Sequence, residues 1–174
     1  MQISSKLGYI DTCVMLMFSN HRDPLRKYYK IRGNKAEGSL IRNHPELKIP
    51  MPALGEVLCI IRDKCSDRSE DVIKEMNRLL DTGIVGTAYI HNANDLFSFA
   101  NSITKETNDD RDQISPMDAL IVATATTNPE CSTLYTTDSV LLTNAGISDM
   151  IYDWRNNKNY DSLRIRDISE IIKN

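Results

Sequence analysis

Apolar residues along this chain fall into short blocks separated by polar turns, and the period changes from block to block. Gly8-Tyr9-Ile10 is a brief apolar run ending at Asp11, and Cys13-Val14-Met15-Leu16-Met17-Phe18 follows after Thr12. Their length and composition predict a buried strand, a tight turn and a buried helix. Pro50 and Pro52 end the segment before them, and proline at a helix start sacrifices no hydrogen bond. The helix that follows is expected to bury Leu54, Val57, Leu58 and Ile61. A second amphipathic helix is predicted over 66–82, capped by Ser66 or Ser69 and stopped by Gly83, with Val72, Ile73, Met76, Leu79 and Leu80 inward. A strand over 84–90 follows, then a helix opened by Asn92 or Asn94 that turns Leu96, Phe97, Ala100 and Ile103 inward.

The next block is the most apolar. Ser115-Pro116-Met117-Asp118 has the form of a helix start, with serine at the cap, proline at the first position and an acid at the third. Ala119 to Ala125 is apolar on every side, so this helix is expected to be central. Asn128-Pro129 breaks it, and Thr133-Leu134-Tyr135 predicts a strand running into Thr136-Thr137-Asp138. A short helix over 139–145, a strand-like Met150-Ile151-Tyr152, and a polar turn with an amphipathic tail over 154–174 complete the chain. Alternating strands and helices imply α/β architecture, a mostly parallel sheet covered on both faces.

At 174 residues, with 41% hydrophobic and 26% charged residues, the chain is suited to a single domain with one core. No apolar run is long enough for a membrane span, and the first eight residues lack a signal-peptide core, so a cytoplasmic protein is expected. Cys13, Cys59, Cys65 and Cys131 have no zinc-like spacing and are read as reduced thiols. The net charge of −3 argues against a uniformly basic surface but allows a local one. Such a patch is present over about 20–43, where Arg22, Arg26, Lys27, Lys30 and Arg32 surround Tyr28 and Tyr29. Cations with interleaved aromatics suit phosphate contacts and base stacking, although a solvated helix face has the same composition.

Four acids share one setting, at a strand end or a helix mouth: Asp11, Glu56, Asp118 and Asp138. Each taken singly has a capping or helix-dipole explanation. Taken together, four packed carboxylates would repel unless protonated or neutralised by a cation, and oxygen-only ligands favour magnesium or manganese.

With YIDT around Asp11, PALGEVL around Glu56, SPMDALIVATA around Asp118 and LYTTD around Asp138, the chain resembles the PIN domain family of metal-dependent ribonucleases. The resemblance extends from about Gly8 to Tyr152. It implies a single-domain, three-layer α/β/α sandwich with the four acids converging as catalytic metal ligands for one or two Mg or Mn ions. Thr12 and Thr136 match the family's supporting polar positions, whereas Cys13 stands where a further polar residue is usual. The implied activity is endonucleolytic hydrolysis of RNA, expected to be single-stranded, with Arg22, Arg26, Lys27, Tyr28, Tyr29, Lys30 and Arg32 as strand-binding candidates. Homodimerisation and, in a toxin role, a small antitoxin-like partner are further implications. The rival expectations are a structure-specific DNA nuclease and a catalytically silent RNA-binding or assembly module.

Overall fold

A computed structural model of the chain describes residues 7–19, 46–64, 69–107 and 113–168. Five strands form one sheet in the order β3-β2-β1-β4-β5, with every neighbouring pair parallel. They are β1 (Leu7–Ile10), β2 (Glu46–Pro50), β3 (Gly86–Ala88), β4 (Cys131–Thr136) and β5 (Arg164–Asp167). The described helices are α1 (Thr12–Ser19), α2 (Met51–Lys64), α3 (Ser69–Asp81), α4 (Ala93–Glu106), α5 (Pro116–Thr127), α6 (Ser139–Thr143) and α7 (Ala145–Asn157). This is the expected α/β/α sandwich around a parallel sheet.

Strand order explains the layers. From β1 the chain steps outward to β2 and β3, then crosses back over β2 and β1 to place β4 on the other side of β1. Parallel crossovers are almost always right-handed, so steps in opposite directions put their helices on opposite faces of the sheet. Helices α1, α2 and α3 accordingly pack on one another, and α4, α5 and α7 form a second group. The reversal of direction lies between β1 and β4, which creates a crevice beyond the carboxyl ends of those two strands.

Several elements have clear local causes. Strand β1 is buried at all four positions, as a central strand covered on both faces must be. Helix α5 is buried at every position from Ile121 to Thr127, and its threonines return their hydroxyls to carbonyls one turn back, so no polar group is orphaned. Gly83, at φ +70°, ends the polar turn after α3 in a conformation that disfavours a side chain.

The structure corrects some expectations. Met150-Ile151-Tyr152 lies inside α7, not in a strand, because Asn144 caps that helix and the buried Ile147, Ile151 and Arg155 recur every four residues. The stretch read as a tail contains the end of α7 and all of β5, which pairs with β4 from Thr133 to Thr136. Strand β2 went unpredicted because it is short, ends in Pro50 and places Lys48 between the buried Leu47 and Ile49. Proline is tolerated there at the strand's last position. Leu58 and Phe97, expected inward, are 51% and 60% exposed. Ala53, Val57 and Ile61 form the buried stripe of α2, and Phe99 replaces Phe97 in the core. No described helix is long and apolar enough to cross a membrane.

Candidate metal centre

Asp11 is the first residue beyond β1, and its N–H extends the ladder to the Tyr135 carbonyl at 2.9 Å. The chain turns there into α1, because the Asp11 carbonyl accepts the Val14 and Met15 amides at 3.1 and 3.0 Å. Asp11 is therefore a helix cap through its backbone, which leaves its side chain, only 3% exposed, in the crevice between β1 and β4. One carboxylate oxygen accepts the Thr12 amide at 2.6 Å. The other accepts the Thr136 hydroxyl at 2.7 Å and the Cys13 thiol at 3.4 Å.

Glu56 comes from the second turn of α2, on the half-buried flank of the Ala53-Val57-Ile61 stripe. The Thr12 hydroxyl donates to it at 2.6 Å, which joins the start of α1 to α2. Asp118 is in the first turn of α5. Its amide donates to the Ser115 hydroxyl oxygen at 3.0 Å, and that hydroxyl donates back to the Asp118 carboxylate at 2.6 Å. The capping explanation is thus correct and incomplete, because the same carboxylate also faces the other acids.

Asp11, Glu56 and Asp118 each offer a carboxylate oxygen, and these oxygens all lie within 4.8 Å of one another. Asp138 stands outside this trio. One of its oxygens caps α6 by accepting the Val140 and Leu141 amides at 2.7 and 3.3 Å, and its own amide donates to Thr136 at 2.9 Å. It still acts on the trio through space, since its charge raises the pKa of Asp118.

The electrostatics of the trio are unfavourable as they stand. Burial pushes the Asp118 carboxyl up from 3.8 to about 6 against the pull of the Ser115 hydrogen bond, and the charges of Asp11, Glu56 and Asp138 add to the rise. Burial also raises the Asp11 carboxyl, opposed by the donors Thr136, Thr12 and Cys13 and reinforced by Glu56. Among the described residues, no lysine, arginine or histidine forms an ion pair with any of the four acids. Among the described residues, neutral hydroxyls, amides and a thiol are the donors to these carboxylates. A cluster of this kind becomes favourable when a cation enters it.

The donor set fits a hard divalent cation. It is all oxygen, with carboxylates arriving from three elements, and hydroxyls fix the orientation of each one. Of the residues read as supporting polar positions, Thr12 donates to Glu56 and Thr136 to Asp11. Cys13 was read as an ordinary thiol, yet it bridges the Thr137 amide at 3.2 Å and the Asp11 carboxylate. Burial, then the Asp11 charge, pushes this thiol up to about 12, so it remains a protonated donor. Its position two residues beyond Asp11, on the first turn of α1, was the available sequence signal. The strand-binding candidates Arg22, Arg26, Lys27, Tyr28, Tyr29, Lys30 and Arg32 lie outside the described residues.

No protein-family model matches the chain, and no curated protein matches it either.

Proposed function

We propose that this protein is a Mg- or Mn-dependent endoribonuclease of PIN type. The observation that carries this reading is the trio Asp11, Glu56 and Asp118, gathered at the switch point of a parallel sheet with no counter-charge among the described residues. Fold alone does not specify chemistry, whereas an all-carboxylate donor set constrains it to a hard cation. A divalent cation held there supplies an activated water and offsets the charge that develops on a phosphodiester. Asp11, Glu56 and Asp118 would hold it, while Thr12, Thr136, Ser115 and Cys13 keep the carboxylates aimed. Asp138 holds α6 in place and adds negative charge beside the trio, where a second cation would be attracted. Water adds at phosphorus and the bond to the leaving sugar oxygen breaks, with no covalent enzyme intermediate.

Cytoplasmic RNA is the substrate in this reading, and the basic segment around Arg22 to Arg32 supplies cations for its phosphates. A second copy of the chain and an antitoxin-like inhibitor are its partners by the same resemblance. The deciding experiment incubates single-stranded RNA with the protein and manganese, alongside Asp11→Asn. Loss of one charged ligand is expected to lower kcat by at least ~10³-fold, about 4 kcal/mol of transition-state stabilisation. Equal cleavage by both proteins would assign the activity to a contaminant. Binding of RNA without cleavage would favour the silent module.

A further inference from the structure

On the far side of β4 from β1, a cavity of about 550 Å³ opens between β5, α6 and α7. Its volume is in the range of small-molecule sites. Leu142 and Ile151 give it apolar surface, and Ser148, Arg164, Arg166 and Asp167 give it polar surface. The two arginines are two residues apart on an edge strand, so they share one face of it, with Asp167 on the alternate face. Both are exposed, and among the described residues neither guanidinium is taken up by a hydrogen bond or an ion pair. Two guanidiniums and the side chains of Leu142 and Ile151 lining one cavity form a receptor for a phosphate attached to a flat or apolar body.

The cavity is also adjacent to the acids. Asp167 is in register with Thr136, whose hydroxyl donates to Asp11. Leu142 lies on the short helix that Asp138 caps, four residues on, or ~6 Å along the helix axis. A strand whose scissile phosphate sits at the trio therefore passes the cavity with its neighbouring nucleotides. We propose that the cavity seats one nucleotide of the RNA strand, with its phosphate on Arg164 and Arg166 and its base against Leu142 and Ile151. This rests on the ribonuclease reading and adds to it a strand-positioning subsite on the side of β4 opposite β1.

The test compares steady-state cleavage of a single-stranded RNA by wild type, R164A/R166A and R164K/R166K. The alanine pair is expected to raise KM about tenfold and leave kcat unchanged, since the contact is made equally before and during reaction. Each lost phosphate contact lowers the slope of log KM against log salt by ~0.7, so the alanine pair, which gives up one phosphate, loses ~0.7 and the lysine pair keeps its slope. Adenosine 5′-monophosphate serves as the free-nucleotide probe. If its binding depends on both arginines while the KM for RNA does not, the cavity is a mononucleotide site and the strand assignment falls. An unchanged KM and slope in an otherwise active alanine pair overturn the subsite alone. A wild type that neither cleaves nor binds RNA overturns the ribonuclease reading and the subsite with it. Because both side chains are exposed, the variants are expected to unfold at the wild-type midpoint. If the alanine pair does not fold, R164Q/R166Q gives the same readout.

Discussion

At the carboxyl end of α5 the Arg155 side chain, 1% exposed, is enclosed by backbone carbonyls, while at the amino end Asp118 is enclosed by other carboxylates. The Arg155 guanidinium donates to the carbonyls of Thr126 at 3.0 Å, Asn128 at 2.9 Å and Pro129 at 3.3 Å, and to that of Asp161. It satisfies the carbonyls that a helix end leaves without partners, and its charge complements the helix dipole. Burial lowers its pKa, but an arginine stays protonated. This buried charge has backbone carbonyl acceptors at all three of its guanidinium nitrogens. At the opposite end, three buried or half-buried acids are held in place by donors too weak to neutralise them. The difference separates a structural charge, complete in the folded chain, from a site that needs something from outside.

The comparison breaks first at Arg155. Arg155→Met keeps the apolar volume but removes the side-chain donor from the Ala125, Thr126 and Pro129 carbonyls and leaves that of Asn128 with the Cys131 amide alone. The expected loss is ~3–5 kcal/mol of unfolding free energy, because removing one partner of a buried ionic network leaves the others desolvated and unpaired. Urea denaturation measures it. Arg155→Lys, which retains charge but lacks the planar fork, should lie between the two. If Met at 155 were neutral, the carboxyl end of α5 would not depend on this side chain, and the contrast with the acidic end would be lost.

The two ends also differ in how legible they are in the sequence. The acidic end could be read because each acid sits next to a local signal: a strand end at Asp11, a proline at the start of the Glu56 helix, and a serine-proline cap before Asp118. Such signals fix backbone position, and position at the carboxyl edge of a parallel sheet fixes convergence. Asp138 shows the limit of this logic. Its capping role was legible, but how far that cap draws its carboxylate away from the trio depends on packing of α6 against β5. Arg155 was not legible, since an arginine on a polar-looking helix reads as surface until the partner carbonyls, about 30 residues earlier in sequence, are brought to it. The β5 cavity escaped notice for a related reason. Leu163 and Ile165 have the spacing of a strand edge, but only pairing with β4 makes it one.

The second prediction sharpens the contrast through pH. Asp118 has a folded pKa raised from 3.8 to about 6, so its contribution to stability is fully present below pH ~4 and is lost as pH rises through ~6. Asp11 shifts in the same direction. Without metal, the protein is therefore expected to be more stable at pH 5 than at pH 7.5, by on the order of 1 kcal/mol from Asp118 once partial exposure is allowed for, with Asp11 adding in the same direction. For a chain of this size that is ~2–4 °C in Tm per kcal/mol. A divalent cation competes with the protons, so magnesium or manganese should raise Tm strongly at pH 7.5 and little at pH 5. Asp118→Asn should flatten the metal-free profile and weaken the metal effect. A metal-free Tm that rises between pH 5 and 7.5, or a metal effect independent of pH, would contradict the reading of the amino end as an unneutralised site.

The smallest effect tests whether the hydroxyl donors aim the carboxylates or merely fill space. Thr12→Val conserves shape but removes the hydroxyl that donates to Glu56 at 2.6 Å. Thr12 is 5% exposed, so water does not readily replace it. Losing a hydrogen bond to a charged group costs ~1 kcal/mol or somewhat more, yet the metal-free protein regains part of this by relaxing Glu56 away from Asp11. Stability should therefore change by less than ~1 kcal/mol, while manganese affinity, read by calorimetry, falls ~10-fold because Glu56 is no longer oriented towards the other ligands. Thr12→Ser keeps the hydroxyl and is expected to keep the affinity. If Val and Ser at position 12 bind metal equally, the hydroxyl has no aiming role, and the preorganisation of the acidic end comes from the backbone caps of α1 and α5 alone.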